Sequence, residues 1–207
     1  MARTMYTDAE GQLAVRMARA TVDAYTRGES APTIEVPASF HRENGVFVTI
    51  NTYPAEELRG CIGYPSPIFP LAKAILKASE GACEDPRFPR LAAEELDAVV
   101  VEVSVLTPPE LLAGKKPKDF VKQVRLGTDG LIVGRGRDRG LLLPQVPVAW
   151  NWDVEEFLAQ TCVKAGLLPD AWLEPDTRIW RFQSEIWTET APRGPIVRRA
   201  MAEHARP

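Results

Sequence analysis

The run from Ala98 to Leu106, with Val99, Val100, Val101, Val103 and Val105, constrains the fold of this chain more than any other stretch. Its β-branched residues favour an extended strand, and so dense an apolar run calls for a central, well-buried place in a sheet. Pro108 and Pro109 end it, because proline donates no backbone hydrogen to a ladder. Two positions break the apolar pattern. Glu102 and Ser104 share a face with Val100 by strand alternation. A carboxylate there must reach solvent, pair with a cation or accept a raised pKa.

Around this strand the other elements follow from local signals. Thr7-Asp8-Ala9-Glu10 reads as a capping box, followed by Leu13, Met17, Thr21 and Ala24 at helical spacing and by Gly28 as a stop. Gly45–Ile50 and Leu58–Gly63 read as neighbouring antiparallel strands. Pro67 and Pro70 introduce a helix through Ala72, Ile75, Leu76, Ser79 and Cys83 that ends before the turn Asp85-Pro86-Arg87. Beyond Pro108, a short helix over Pro117–Gln123 precedes a three-strand meander from Val124 to Leu143, with Asp129-Gly130 and Asp138-Arg139-Gly140 as its turns. Asp153 caps a helix through Phe157, Leu158 and Cys162, closed by Gly166. Arg178–Thr188 alternates as one returning strand, and the basic tail from Arg193 to Pro207 reads as a solvated end. The assembly expected is α+β. Residues 1–107 and 176–207 form a larger antiparallel lobe, and residues 108–175 form a smaller inserted one.

Composition excludes several function classes. The 28 acidic and 25 basic side chains leave a net charge of -3, without the basic excess of a nucleic-acid groove. No stretch approaches the roughly 20 apolar residues of a membrane span, and no apolar signal core follows the N-terminus, so the expectation is a soluble, cytoplasmic protein. Cys61, Cys83 and Cys162 suit reduced thiols. With His41 and His204 as its histidines and no CxxC, HxxxH or HExxH pattern, the chain offers no transition-metal site, and no cofactor fingerprint occurs. Gly134-Arg135-Gly136-Arg137-Asp138-Arg139-Gly140 lacks the lysine, the Ser/Thr and the following helix of a phosphate loop, and reads as a basic hairpin tip.

The chemistry-bearing segment is Leu58-Arg59-Gly60-Cys61-Ile62-Gly63. Alternation puts Arg59, Cys61 and Gly63 on one face, lining a surface or crevice, with Leu58 and Ile62 toward the core. Gly60 and Gly63 mark places where another backbone or a ligand comes close. Residues two apart on a strand face lie about 7 Å from each other, so Arg59 could lower the Cys61 pKa, with His41 as a base. The plainer reading makes Cys61 a small buried filler and Arg59 an ion-pair partner. Glu102 could meet Arg59 if the two strands are neighbours. Asp85 and Arg87 could reach the same crevice. Pro144-Gln145-Val146-Pro147 with Trp150-Asn151-Trp152 forms a rigid aromatic loop that either walls a ligand site or caps the smaller lobe.

The hexapeptide resembles the hallmark of the AMMECR domain family, named for a chromosomal region tied to Alport syndrome, mental retardation, midface hypoplasia and elliptocytosis. The resemblance continues through Asp85-Pro86-Arg87-Phe88, Glu102–Leu106, Gly140–Val146, Trp152, Glu156-Phe157, Cys162 and Lys164–Leu167. It implies a larger lobe with a five-stranded antiparallel sheet, a smaller lobe with three strands, and a cleft faced by the hexapeptide. It also implies a protein, peptide or sizeable organic ligand, and pathway partners of the Memo-like and radical-SAM kinds. Two functions are expected to compete. One is a cleft-binding module in which Arg59 fixes an anionic group. The other is an enzyme with Cys61 as nucleophile or thiol carrier, assisted by Arg59 and Glu102. RNA binding through the arginine hairpin is disfavoured by the net charge.

Overall fold

The structure, a computed structural model, describes residues 5–31, 33–114 and 117–199. Its helices are α1 (Asp8–Arg27), α2 (Leu71–Cys83), α3 (Pro117–Val121), α4 (Gln145–Ala149) and α5 (Val154–Lys164). Its strands are β1 (Val46–Thr52), β2 (Leu58–Tyr64), β3 (Val99–Leu106), β4 (Glu110–Leu111), β5 (Gly130–Arg135), β6 (Asp138–Leu142), β7 (Arg178–Phe182), β8 (Ser184–Glu189) and β9 (Ile196–Arg199). None of the described helices is long and apolar enough to cross a membrane. The chain forms two compact units, one running to Leu106 and resuming over Glu185–Arg199, the other spanning Thr107–Ser184.

The larger unit is a five-stranded antiparallel sheet in the order β2-β1-β3-β8-β9, with the valine-rich β3 at its centre. Val46, Val48, Ile50, Val101, Val103 and Val105 form one core with Ala14, Val15 and Ala18 of α1 and with Leu71, Ala74, Ile75 and Ala78 of α2. Both helices therefore cover the same face. α1 starts where the capping box requires: the Glu10 N–H donates to Thr7 Oγ1 at 3.2 Å, and the Thr7 N–H donates to Glu10 Oε2 at 2.8 Å. It ends at Gly28, in the left-handed region at φ 74°.

The smaller unit carries a sheet in the order β4-β7-β5-β6, packed on α5 through Leu131, Val133, Ile179, Phe157, Leu158 and Cys162. This sheet has four strands, one more than expected, and the meander differs from its sequence reading. Val124–Thr128 is a turn and not a strand, because the buried Asp129 side chain accepts the Arg125 N–H at 2.9 Å and its own N–H closes onto the Arg125 carbonyl. Asp138-Arg139-Gly140 lies inside β6. The hairpin turns instead at Gly136-Arg137, where Gly136 supplies a φ of 61° at the first central position.

Arg178–Thr188 is likewise two strands in two sheets. The alternation runs through it unbroken, but Gln183 leaves both ladders. Its N–H donates to Thr107 Oγ1 at 2.8 Å, its carbonyl accepts from the Thr107 N–H at 2.7 Å, and its side chain donates to Asp129. The basic tail also departs from expectation. Ile196–Arg199 is an edge strand, with Arg198 paired to Asp8 and stacked on Trp187, and Arg193 paired to Asp23 and Asp97. Four residues are too few to show a period. Residues 200–207, and the first four of the N-terminal reading, lie outside the described part of the chain.

Candidate functional site

The core face of the larger sheet takes every second residue of β1 and β3. Phe47 and Thr49, and Glu102 and Ser104, therefore point to the face that α1 and α2 leave uncovered. Strand register aligns them in rows. Cys61 of β2 pairs with Thr49 of β1, which pairs with Glu102 of β3; one step on, Gly63 pairs with Phe47, which pairs with Ser104. Thr49 donates its hydroxyl to Cys61 Sγ at 3.2 Å. The cation reaching the buried Glu102 is Arg199 of β9, at 3.4 Å, and the same guanidinium holds Glu56 at 2.9 Å. The structure thus brings Cys61, Gly63, Glu102 and Ser104 together, and adds Phe47, Thr49 and Arg199.

Arg59 is elsewhere. The β1–β2 ladder shifts register between Ile50 and Asn51, so Gly60 faces Ile50, Leu58 faces Asn51, and Arg59 is the extra residue of a bulge. Its guanidinium makes a two-pronged contact with Glu95, at 2.7 and 2.9 Å, and donates to the Pro89 and Arg90 carbonyls. These bonds turn the guanidinium onto residues 89–95. The same bulge leaves Leu58 40% exposed, while Ile62 lies against Gly81 of α2. His41 sits in a short 3-10 turn whose next residue accepts the Leu71 N–H, at the start of α2. Cys61 is tied to Asp85, just past the other end of that helix, and 13 residues of helix separate the two ends by roughly 18 Å.

Asp85 and Arg87 serve the backbone of Cys61. As an edge strand, β2 has outward N–H and carbonyl groups without a neighbouring strand. Asp85 Oδ2 accepts the Cys61 N–H at 2.8 Å, and Arg87 Nη2 donates to the Cys61 carbonyl at 3.3 Å. Arg87 is itself clamped to Asp85 through its Nε and Nη2. The two glycines of the hexapeptide have packing reasons. A Cβ on Gly60 would fall 2.2 Å from the Ala82 carbonyl oxygen, and one on Gly63 would fall 2.3 Å from the Phe47 ring. Pro144 and Gln145 belong to the smaller unit, where the buried Pro144 caps α4 and Gln145 begins it. Nearby Trp150 and Trp152 stack with ring centroids 6.1 Å apart.

Electrostatics separate the two roles expected of Cys61. Burial pushes its thiol above the ordinary value; the Thr49 hydroxyl and Arg87 oppose that rise, while Glu102 and Asp85 add to it. Cys83 and Cys162 are pushed up to about 11, chiefly by burial. Among the described residues no grouping of three His, Cys, Asp or Glu side chains could hold a metal ion.

The Asp85 carboxyl moves the other way. The Arg87 hydrogen bond, aided by the Cys61 and Arg87 N–H groups, holds it well below the usual carboxylate range against the cost of burial. A carboxyl depressed in the folded state contributes stability above its unfolded pKa of about 4 and loses it as pH falls toward the folded value. Asp85→Asn is therefore expected to lower the urea midpoint at pH 7, with the difference from wild type narrowing by pH 3. An equal difference at both values would show that the ionised carboxylate is not the stabilising form.

Sequence reasoning passed over four participants in the region, Phe47, Thr49, Arg199 and Glu95. Thr49 carried a usable signal, a polar residue on the alternation opposite Val48 and Ile50. Arg199 and Glu95 carried none, since neither lies in a patterned segment long enough to assign a face.

The model of the AMMECR1 family matches residues 15–187. Protein MJ0810 of Methanocaldococcus jannaschii is 49% identical over 193 residues, covering 93% of this chain and 96% of that protein. A protein of Thermococcus gammatolerans is 52% identical over 200 residues, covering 94% and 97%. The crystal structure of protein PH0010 from Pyrococcus horikoshii superposes with a TM-score of 0.82 at 50% identity, covering 93% of this chain and 98% of that one.

Proposed function

This chain belongs to the AMMECR1 family, and we propose that the face of its larger sheet opposite α1 and α2 recognises a peptide or sizeable organic ligand without covalent chemistry. The observation that carries this reading is the state of Cys61. Its thiol is pushed up by burial, and the arginine two residues before it is held by Glu95. A thiol activated for attack needs a depressed pKa or a base in reach; burial pushes this one the other way, and His41 stands at the far end of α2 from it. Around it the face offers an aromatic ring at Phe47, hydroxyls at Thr49 and Ser104, and the Glu102–Arg199 pair, a mixture suited to amide-bearing ligands.

Alkylation of each cysteine by iodoacetamide against pH, read by peptide mass spectrometry, tests this. Cys61 is expected to label more slowly at pH 7 than a free cysteine of pKa ~8.5, rising only in alkaline solution. Cys83 and Cys162 should label more slowly still. Peptides selected on the wild-type chain are expected to lose binding on Glu102→Gln and to keep it on Cys61→Ser. A rapid plateau of Cys61 labelling near pH 7 would overturn the reading in favour of an enzyme with Cys61 as nucleophile.

A further inference from the structure

The arginine hairpin of the smaller unit has a geometry that the larger sheet's face does not explain. Gly134 of β5 pairs with Arg139 of β6 on one side and with Arg178 of β7 on the other. Directly opposed residues point to the same face, so two arginines flank a position that has no side chain. In the next row of that face Ile132 pairs with Trp180, which sits two residues beyond Arg178. The Arg139 guanidinium has crossed the glycine to lie 4.8 Å from the Trp180 ring centroid. A Cβ on Gly134 would meet Trp180 at 3.2 Å and the Arg139 Nε at 3.5 Å. The bare glycine is thus the floor of a recess where indole and guanidinium meet. Arg137, on the hairpin turn, lines the same cavity of about 530 Å³.

The charge in this recess is unbalanced. Asp176 and Asp138 also line it, but Asp176 lies 3.8 Å from Arg135, and Asp138 faces Arg135 across the hairpin. Arg137, Arg139 and Arg178 are all exposed, and among the described residues none of the three has an ion-pair partner. A volume of 530 Å³ falls within the roughly 300–1,000 Å³ of small-molecule sites. Stacking on Trp180 holds Arg139 with its N–H edges available, so less freedom is lost when an oxyanion arrives.

We propose that this recess is a binding site for a compact, multiply charged anion, one carrying phosphates or clustered carboxylates, gripped by Arg137, Arg139 and Arg178 over the Gly134 floor. Recognition is by side-chain forks and not by a backbone cradle, since no helix N-terminus enters the recess. The site lies wholly within the smaller unit.

The test follows the backbone amides of Gly134, Gly136 and Arg139 by nitrogen-15 NMR while the full chain is titrated at low salt with inorganic pyrophosphate and, separately, citrate. Saturable shifts are expected with at least one of them, and the tighter of the two identifies the anion class. Arg139→Ala and Arg178→Ala should each weaken binding about tenfold. Gly134→Ala should weaken it while leaving the fold intact, because the added methyl's closest contacts are side chains that can give way and the Asp138 carbonyl oxygen stands at an ordinary 3.6 Å. Arg16→Ala, an exposed arginine of α1, should leave affinity within twofold. Absence of saturation with both anions would overturn the proposal. So would equal weakening by Arg16→Ala, which would mean diffuse charge, or much tighter arginine-dependent binding of a single-stranded RNA, which would mean a polymer surface.

Discussion

Arg19→Ala is expected to destabilise the larger unit by about 3–5 kcal/mol, the cost of leaving a buried carboxylate without its cation. Arg19 of α1 is 6% exposed and Glu189 of β8 is 4% exposed, and the Arg19 Nε donates to both Glu189 oxygens at 3.0 and 3.2 Å. The pair is also wired to the backbone. Arg19 donates to the Val99 carbonyl at 2.6 Å, and Glu189 Oε2 accepts the Val101 N–H at 3.0 Å. Removing the arginine strands the carboxylate against the central strand. Removing both charges with well-packed apolar residues is a smaller perturbation. Arg19→Met with Glu189→Leu should therefore be more stable than Arg19→Ala alone, although the Val101 N–H and Val99 carbonyl lose their partners. Urea unfolding of the three chains gives the comparison. A shift for Arg19→Ala below ~1 kcal/mol would place the pair among weak surface bridges.

Gly60→Ala is the second large effect expected, a loss of about 1–3 kcal/mol through overpacking. Its new Cβ would fall 2.2 Å from the Ala82 carbonyl oxygen and 3.6 Å from Asp85 Cβ. The first contact is with the main chain at the end of α2, which has no rotamer to give. Relief requires β2 and the α2–Asp85 junction to separate, and that junction carries the acceptor for the Cys61 N–H. The variant should therefore unfold at lower urea and also alkylate Cys61 faster than wild type. A stability loss with unchanged Cys61 labelling would mean that the strand edge opens at some other point. Gly134→Ala, whose Cβ meets only side-chain atoms and a carbonyl oxygen at 3.6 Å, should by contrast cost little.

Individual residues mark how far a reader of the sequence could go. The capping box at Thr7, the stop at Gly28, the caps at Asp153 and Gly166 and the central strand at Val99–Leu106 all depend on neighbours within a few positions, and all were legible. The pairing of Gly45–Ile50 with Leu58–Gly63 was legible for the same reason. Arg59 was not. Strict alternation put it beside Cys61, and one bulge residue sent it to Glu95. Arg178–Thr188 carried an unbroken two-residue period, which identifies a strand but not the sheet it joins. Thr107, 76 residues away, decides that by bonding Gln183 between β7 and β8.

The sequence by itself therefore determined that α1, α2, α5 and the β1–β2 pair form, which strand is central, and which hexapeptide carries the unusual side chains. Those properties come from backbone sterics and from apolar periodicity along a few consecutive residues. Only the tertiary structure decided which partner each polar side chain takes: Glu95 for Arg59, the Cys61 backbone for Asp85 and Arg87, and Arg199 for Glu102. Those choices join residues 24 to 97 positions apart. Long-range pairing is set by where packed strands bring charges to one face, and no local pattern along the chain encodes it.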